Sequence, residues 1–124
     1  MTILYAEDEM DDLYIFSEIV FSINPGIECI SARNGTEALE ILDNLVRLPD
    51  YIFLDINMPT MDGKACLKNL KRDHRFKSIP VIIYTTSTNK MDIDQCRQLG
   101  ATDYIIKPNT VKGAVDKLSK WLKN

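Results

Sequence analysis

Four short apolar runs in this chain each stop on a polar side chain. Residues 3–6 run into Glu7-Asp8, residues 51–54 into Asp55, residues 104–106 into Lys107, and residues 81–84 into Thr85. Runs this short and this continuously apolar suit strands buried on both faces, the condition of a parallel sheet covered by helices. If the four strands are parallel neighbours, their polar tips meet at one carboxyl-terminal edge, where ligands bind in open α/β sheets. Three carboxylates, an amine and a hydroxyl gathered there form a site for a divalent metal and a phosphate.

The segments between the runs carry helical periodicity. Asp8 and Glu9 open a first helix whose buried face is Phe16, Ile19, Val20 and Ile23. Asp11 and Asp12 lie in its first turn, where carboxylates oppose the positive helix end favourably, and Asn24-Pro25-Gly26 stops it. A second strand is expected over 27–32. Asn34 then reads as an N-cap with Glu37 three residues on, ahead of a stripe of Ala38, Ile41, Leu42 and Leu45. After Asp55 an irregular loop over 56–63 precedes a helix marked by Cys66, Leu67 and Leu70. The fourth strand is expected over 79–84, a weakly amphipathic helix over 89–99 with Gly100 as its stop, and the fifth strand over 103–106. The last helix presents Val111, Ala114, Val115, Leu118, Trp121 and Leu122. Five β-α units in strict alternation predict a doubly wound, five-stranded parallel sheet of order 2-1-3-4-5, a flavodoxin-like three-layer α/β fold.

Composition narrows the function. The 124 residues suffice for one domain, 1–124, with a core that needs no disulfide or metal staple, and nothing is left over for an output domain. A net charge of −3 argues against nucleic-acid binding. No window approaches a membrane span, and a strand-like run directly after Met1-Thr2 leaves no room for a signal peptide. Cys29, Cys66 and Cys96 all sit in apolar patterns and read as reduced core thiols, so the expected compartment is the cytoplasm. His74, in a basic irregular stretch, reads as solvated.

In the 2-1-3-4-5 order the first and third strands are neighbours, so Glu7, Asp8 and Asp55 converge. Two unit charges ~4 Å apart repel by roughly 4 kcal/mol at an effective dielectric of 20, and a hard divalent cation relieves that repulsion. Mg²⁺, taking a few carboxylate or carbonyl oxygens, is the expected ion, with Mn²⁺ as the alternative. Lys107 cannot chelate and faces the same pocket as a phosphate partner.

Glu7-Asp8-Glu9, the run 54–59 with Met61-Asp62-Gly63, Tyr84-Thr85 and Lys107-Pro108 together resemble the response-regulator receiver domain of two-component signalling, in its stand-alone, chemotaxis-type form. The match follows the whole chain in order and spacing. The resemblance implies that Asp55 is the phospho-acceptor, taking its phosphoryl group from a phosphohistidine on a sensor histidine kinase or histidine phosphotransfer protein. It implies Asp8 as a direct metal ligand, Glu7 acting through water, and the backbone carbonyl of Asn57 as the remaining protein ligand. Lys107 and Thr85 would contact the phosphoryl oxygens, and Thr85 and Tyr104 would form the switch. Ser87, with Asn57, would tune phosphate lifetime, and a downstream protein would dock on the face of the fourth helix, fifth strand and fifth helix. Glu7 departs from the frequent Asp-Asp pair, which implies altered metal affinity. Such a chain is a signalling phospho-acceptor, a shuttle, relay intermediate or phosphate sink, and not an enzyme acting on separate substrates. A small haloacid-dehalogenase-like phosphohydrolase is the enzymatic alternative, but it needs a second Asp where Asn57 stands. A flavodoxin-like cofactor module lacks its phosphate-cradling loop after the first strand.

Overall fold

The computed structural model describes residues 1–123. Its elements alternate without interruption: β1 (Thr2–Ala6), α1 (Met10–Ile23), β2 (Glu28–Ala32), α2 (Gly35–Asn44), β3 (Tyr51–Leu54), α3 (Gly63–Arg72), β4 (Val81–Thr85), α4 (Lys90–Gln98), β5 (Asp103–Ile106) and α5 (Val111–Leu122). All strand pairs are parallel, and the sheet order is β2-β1-β3-β4-β5, as the alternation predicts.

Side-chain alternation along each strand divides the interior into two cores. Leu4, Ala6, Ile52, Leu54, Val81 and Ile83 face α2, α3 and α4, where Ala38, Leu42, Cys66, Leu67, Leu70 and Cys96 cover them. Ile3, Tyr5, Phe53, Ile82, Tyr84 and Ile105 face α1 and α5 and meet Leu13, Phe16, Ile19, Ala114, Leu118 and Leu122. Phe16 anchors the second core, its ring centroid 4.1 Å from that of Tyr5 and 5.4 Å from that of Phe53.

The helix starts follow local chemistry. Asn34, Asp62 and Thr110 each accept a backbone N–H three residues ahead, from Glu37, Ala65 and Gly113, satisfying donors that the first turn leaves orphaned. Glu9 occupies the cap of α1 without a side-chain bond of this kind, so the helix begins at Met10 rather than at Asp8. Gly100, at φ 103°, ends the α4 segment in a conformation that only glycine adopts without cost.

Several expectations shift. β4 starts at Val81, two residues later than expected, because Pro80 lacks the N–H a ladder needs; Ile79 closes the turn after α3 and still packs into the core. β2 begins at Glu28. Val111 is 64% exposed instead of being buried with Ala114 and Leu118 on the apolar face of α5; it borders an open cleft shared with Ile15 of α1. Cys29 is only half-buried, on an edge strand, whereas Cys66 and Cys96 are fully buried; all three are free thiols. His74 is exposed, as expected.

Candidate metal and phosphoryl site

Ladder bonds that continue past the strand ends hold the site backbone. Ala6 pairs with Leu54, so the next residues, Glu7 and Asp55, emerge side by side. The Glu7 N–H donates to the Ala32 carbonyl at 2.9 Å, that of Asp55 to Ala6 at 3.1 Å, and that of Lys107 to Thr85 at 2.7 Å. Each functional residue is therefore fixed by its neighbouring strand. Gly63 packs against the Asp55 peptide so closely that a Cβ there would lie 2.1 Å from the Asp55 carbonyl oxygen. The Asp-Gly pair at the start of α3 is thus a cap followed by an obligatory close approach.

Carboxylate oxygens of Glu7, Asp8 and Asp55 lie within 4.8 Å of one another. Glu7 is fully buried, Asp55 is 7% exposed, and Asp8 stands at the rim. Glu7 Oε2 and Asp55 Oδ1 are buried with no hydrogen-bond partner among the described residues. Buried acceptors without donors cost free energy unless a cation or water meets them, and an all-oxygen, acidic donor set is that of a hard divalent ion. The residues fit such an ion.

Lys107 answers the cluster from β5. Its Nζ lies 3.1 Å from Asp12, 3.2 Å from Glu7 and 3.4 Å from Asp55. Burial, and then the neighbouring Asp55 carboxyl, push the Glu7 carboxyl well above the usual carboxylate range, with Lys107 opposing. Burial also pushes Asp55 up, but Glu7, the Thr85 hydroxyl and Lys107 outweigh it and hold that carboxyl low. Burial works against the Lys107 charge, and the surrounding carboxylates raise its pKa in spite of it. The result is an ionised Asp55 beside an ammonium, a usable nucleophile for an electrophilic phosphorus.

Thr85 is fully buried at the tip of β4. Ser87 donates its N–H to Thr85 Oγ1 at 3.4 Å and its hydroxyl to Asp92 at 2.6 Å, and its carbonyl accepts from Tyr104 Oη at 2.9 Å. Asp92 also pairs with Lys64. Tyr104 is half-buried, leaning on the α2–α4 core. The structure brings Glu7, Asp8, Asp55, Thr85 and Lys107 together at this edge, ties Ser87 and Tyr104 to it through hydrogen bonds, and adds Asp12, which the sequence suggested only as a helix-end carboxylate. One signal for it was present: Asp12 lies a turn ahead of Phe16 on the buried stripe of α1, where an apolar residue belongs.

The fold and site define a phosphoryl-accepting signalling domain that binds a divalent metal. Residues 3–119 match the family model described as the response regulator receiver domain, and the chain belongs to that family. It is similar to the polar-differentiation response regulator DivK of Brucella anthropi, with 32% identity over 98% of this chain and 95% of the relative. It is also 35% identical, over 86% of its length, to part of the sensor histidine kinase CheAY of Helicobacter pylori, of which it spans 13%. Among solved structures it is similar to the phosphorylated cyanobacterial phytochrome response regulator RcpA (29% identity, TM-score 0.89, covering 98% of this chain and 92% of that one). The Mn²⁺-bound response regulator Rcp1 gives 29% identity and a TM-score of 0.88, covering 99% and 95%. Among the described residues, no helix is long and apolar enough to cross a membrane.

Proposed function

We propose that Asp55 accepts a phosphoryl group from a phosphohistidine of a sensor histidine kinase or histidine phosphotransfer protein, and that the chain works as a single-domain response regulator. The observation that carries this is the convergence of an ionised, nearly buried Asp55 with Glu7, Asp8 and Lys107. Glu7, Asp8, Asp55 and the Asn57 carbonyl would hold Mg²⁺, whose charge, when bound, offsets that of the phosphoryl oxygens. An Asp55 carboxylate oxygen forms the new O–P bond as the P–N bond to the donor imidazole breaks, and the electron pair leaves on that nitrogen. Such transfer asks for positioning and charge neutralisation, which the strand-pinned carboxylate and Lys107 supply. Lys107 and Thr85 then contact the phosphoryl oxygens.

The switch follows from the Thr85–Ser87–Tyr104 connection. If the Thr85 hydroxyl turns to the phosphate, it gives up the long bond from Ser87, and the Tyr104 contact to the Ser87 carbonyl must adjust with it. That passes the signal to the face of α4, β5 and α5, where a downstream protein would dock. Ser87, with Asn57, tunes phosphate lifetime. Incubation with acetyl phosphate and Mg²⁺ tests the acceptor directly: intact mass should rise by one base-labile phosphate in the wild type and not in Asp55→Asn. Equal labelling of Asp55→Asn overturns the assignment.

A further inference from the structure

Lys107 pairs with Asp12 of α1 at 3.1 Å, at least as closely as with Glu7 (3.2 Å) and Asp55 (3.4 Å) of the metal cluster. We infer that Asp12 is a positioning residue that competes with the phosphoryl group for the Lys107 amine and so shortens the life of the phosphorylated state. This rests on the acceptor reading above. Three acceptors, Glu7 Oε1, Asp12 Oδ2 and Asp55 Oδ2, share one ammonium. Two of them belong to the group that a bound cation would engage, whereas Asp12 lies outside it.

The exposures separate the roles. The Lys107 side chain is 12% exposed and that of Asp12 42%, so Asp12 holds the amine from the solvent side, towards α1. The ring of Tyr84 lies 5.9 Å from the amine. A phosphoryl group on Asp55 would compete with Asp12 for the protons of this ammonium, and the Asp12 carboxylate then faces a group of charge about −1.5 to −2. Both consequences disfavour the phosphorylated protein relative to the unphosphorylated one. Asp12 is not the reacting carboxylate; it also borders Glu7, but its effect on the phosphoryl group is assigned to its ion pair with Lys107.

The test loads the wild type, Asp12→Asn, Asp12→Glu and Asp11→Asn with beryllofluoride and Mg²⁺, a stable mimic of the phosphoryl group, and follows loss of acetyl-phosphate label after donor removal. Asp12→Asn keeps the shape and an acceptor oxygen but loses the charge. It should bind beryllofluoride about 3-fold more tightly or better and lose its phosphate correspondingly more slowly, the size expected of a part-exposed ion pair. Asp12→Glu should restore wild-type behaviour, and Asp11→Asn, on the exposed face one residue away, should match the wild type. A purely structural role would move the melting temperature and leave affinity and lifetime unchanged. That result overturns the inference, as does an equal gain in Asp11→Asn, which would mark a diffuse charge effect. Beryllofluoride binding undiminished in Asp55→Asn would remove the acceptor reading itself, a failure distinguishable from the others.

Discussion

The hydroxyl of Tyr104 donates to the carbonyl of Ser87 across 2.9 Å, tying β5 to the loop that leaves β4. Through Ser87 the tie extends to the buried Thr85 hydroxyl on one side and to Asp92 and Lys64 on the other. One serine therefore joins the phosphoryl edge to the α3–α4 flank. Tyr104→Phe keeps the ring and deletes the bond. We expect a stability loss of about 1 kcal/mol in urea unfolding, the usual net worth of such a bond, with faster amide exchange around Ser87. An unchanged midpoint and unchanged exchange would mean the bond contributes nothing in solution.

Gly63 leaves no room for a methyl group. An added Cβ would meet the carbonyl oxygen of Asp55 at 2.1 Å and its carbonyl carbon at 2.9 Å, and these are backbone atoms of the acceptor residue, held by the bond to Ala6. Gly63→Ala should cost about 2 kcal/mol or more and depress phosphorylation in parallel, because relief of the clash displaces Asp55. At Gly26 the nearest atom is a side-chain oxygen of Asn24 at 3.3 Å, so Gly26→Ala serves as the mild control. Equal melting temperatures for the two variants would contradict this account.

Lys107 pairs with the low-lying Asp55 carboxyl and also touches Glu7, whose carboxyl is pushed well up by burial, so its removal should be felt before any chemistry. Lys107→Met leaves the buried, ionised Asp55 without its cation beside Glu7, and we expect a loss of about 3 kcal/mol in chelator. Mg²⁺ at ten times its dissociation constant should return about 1.4 kcal/mol. The same substitution made in Asp55→Asn should cost less, one charge having gone. Urea melts with chelator and with Mg²⁺ measure all three, and a loss that is the same in both backgrounds would show that the unpaired Asp55 charge is not the cause.

The sheet order was legible because every strand is an uninterrupted apolar run and every crossover has one permitted hand. Once that order is given, the meeting of Glu7, Asp8, Asp55 and Lys107 follows, since the parallel register brings the strand ends level and backbone bonds hold the residues just past them. Side-chain pairing across the crevice was less legible. Asp12 sits on a helix, where its neighbours depend on how α1 rotates against β5, and the helix-dipole explanation was locally sufficient. The exposure of Val111 has the same origin: helical periodicity assigns a face, but not how closely the neighbouring helix packs on each residue of it. The late start of β4 turned on Pro80, whose missing donor matters only once the neighbouring strand is known.

The thiols offer a readout of the core that is independent of the phosphoryl site. Burial pushes Cys66 up to about 12 and Cys96 up to about 11, and raises half-buried Cys29 as well. At pH 8 only a thiolate attacks a disulfide reagent, expelling the reagent's own thiolate, so native protein should release one equivalent, from Cys29, ahead of two that appear only on unfolding. Unfolded thiols ionise around pH 9, whereas the native ones stay neutral until higher pH. The unfolded state thus sheds protons first, and the stability contributed by Cys66 and Cys96 is complete below pH 9 and is lost as pH rises towards 11–12. Urea midpoints should therefore fall above pH 9 in the wild type and fall less steeply in Cys66→Ala, even though that variant starts from a lower stability. Three thiols reacting at one rate in native protein, or equal slopes with and without Cys66, would contradict a sealed α2–α4 core.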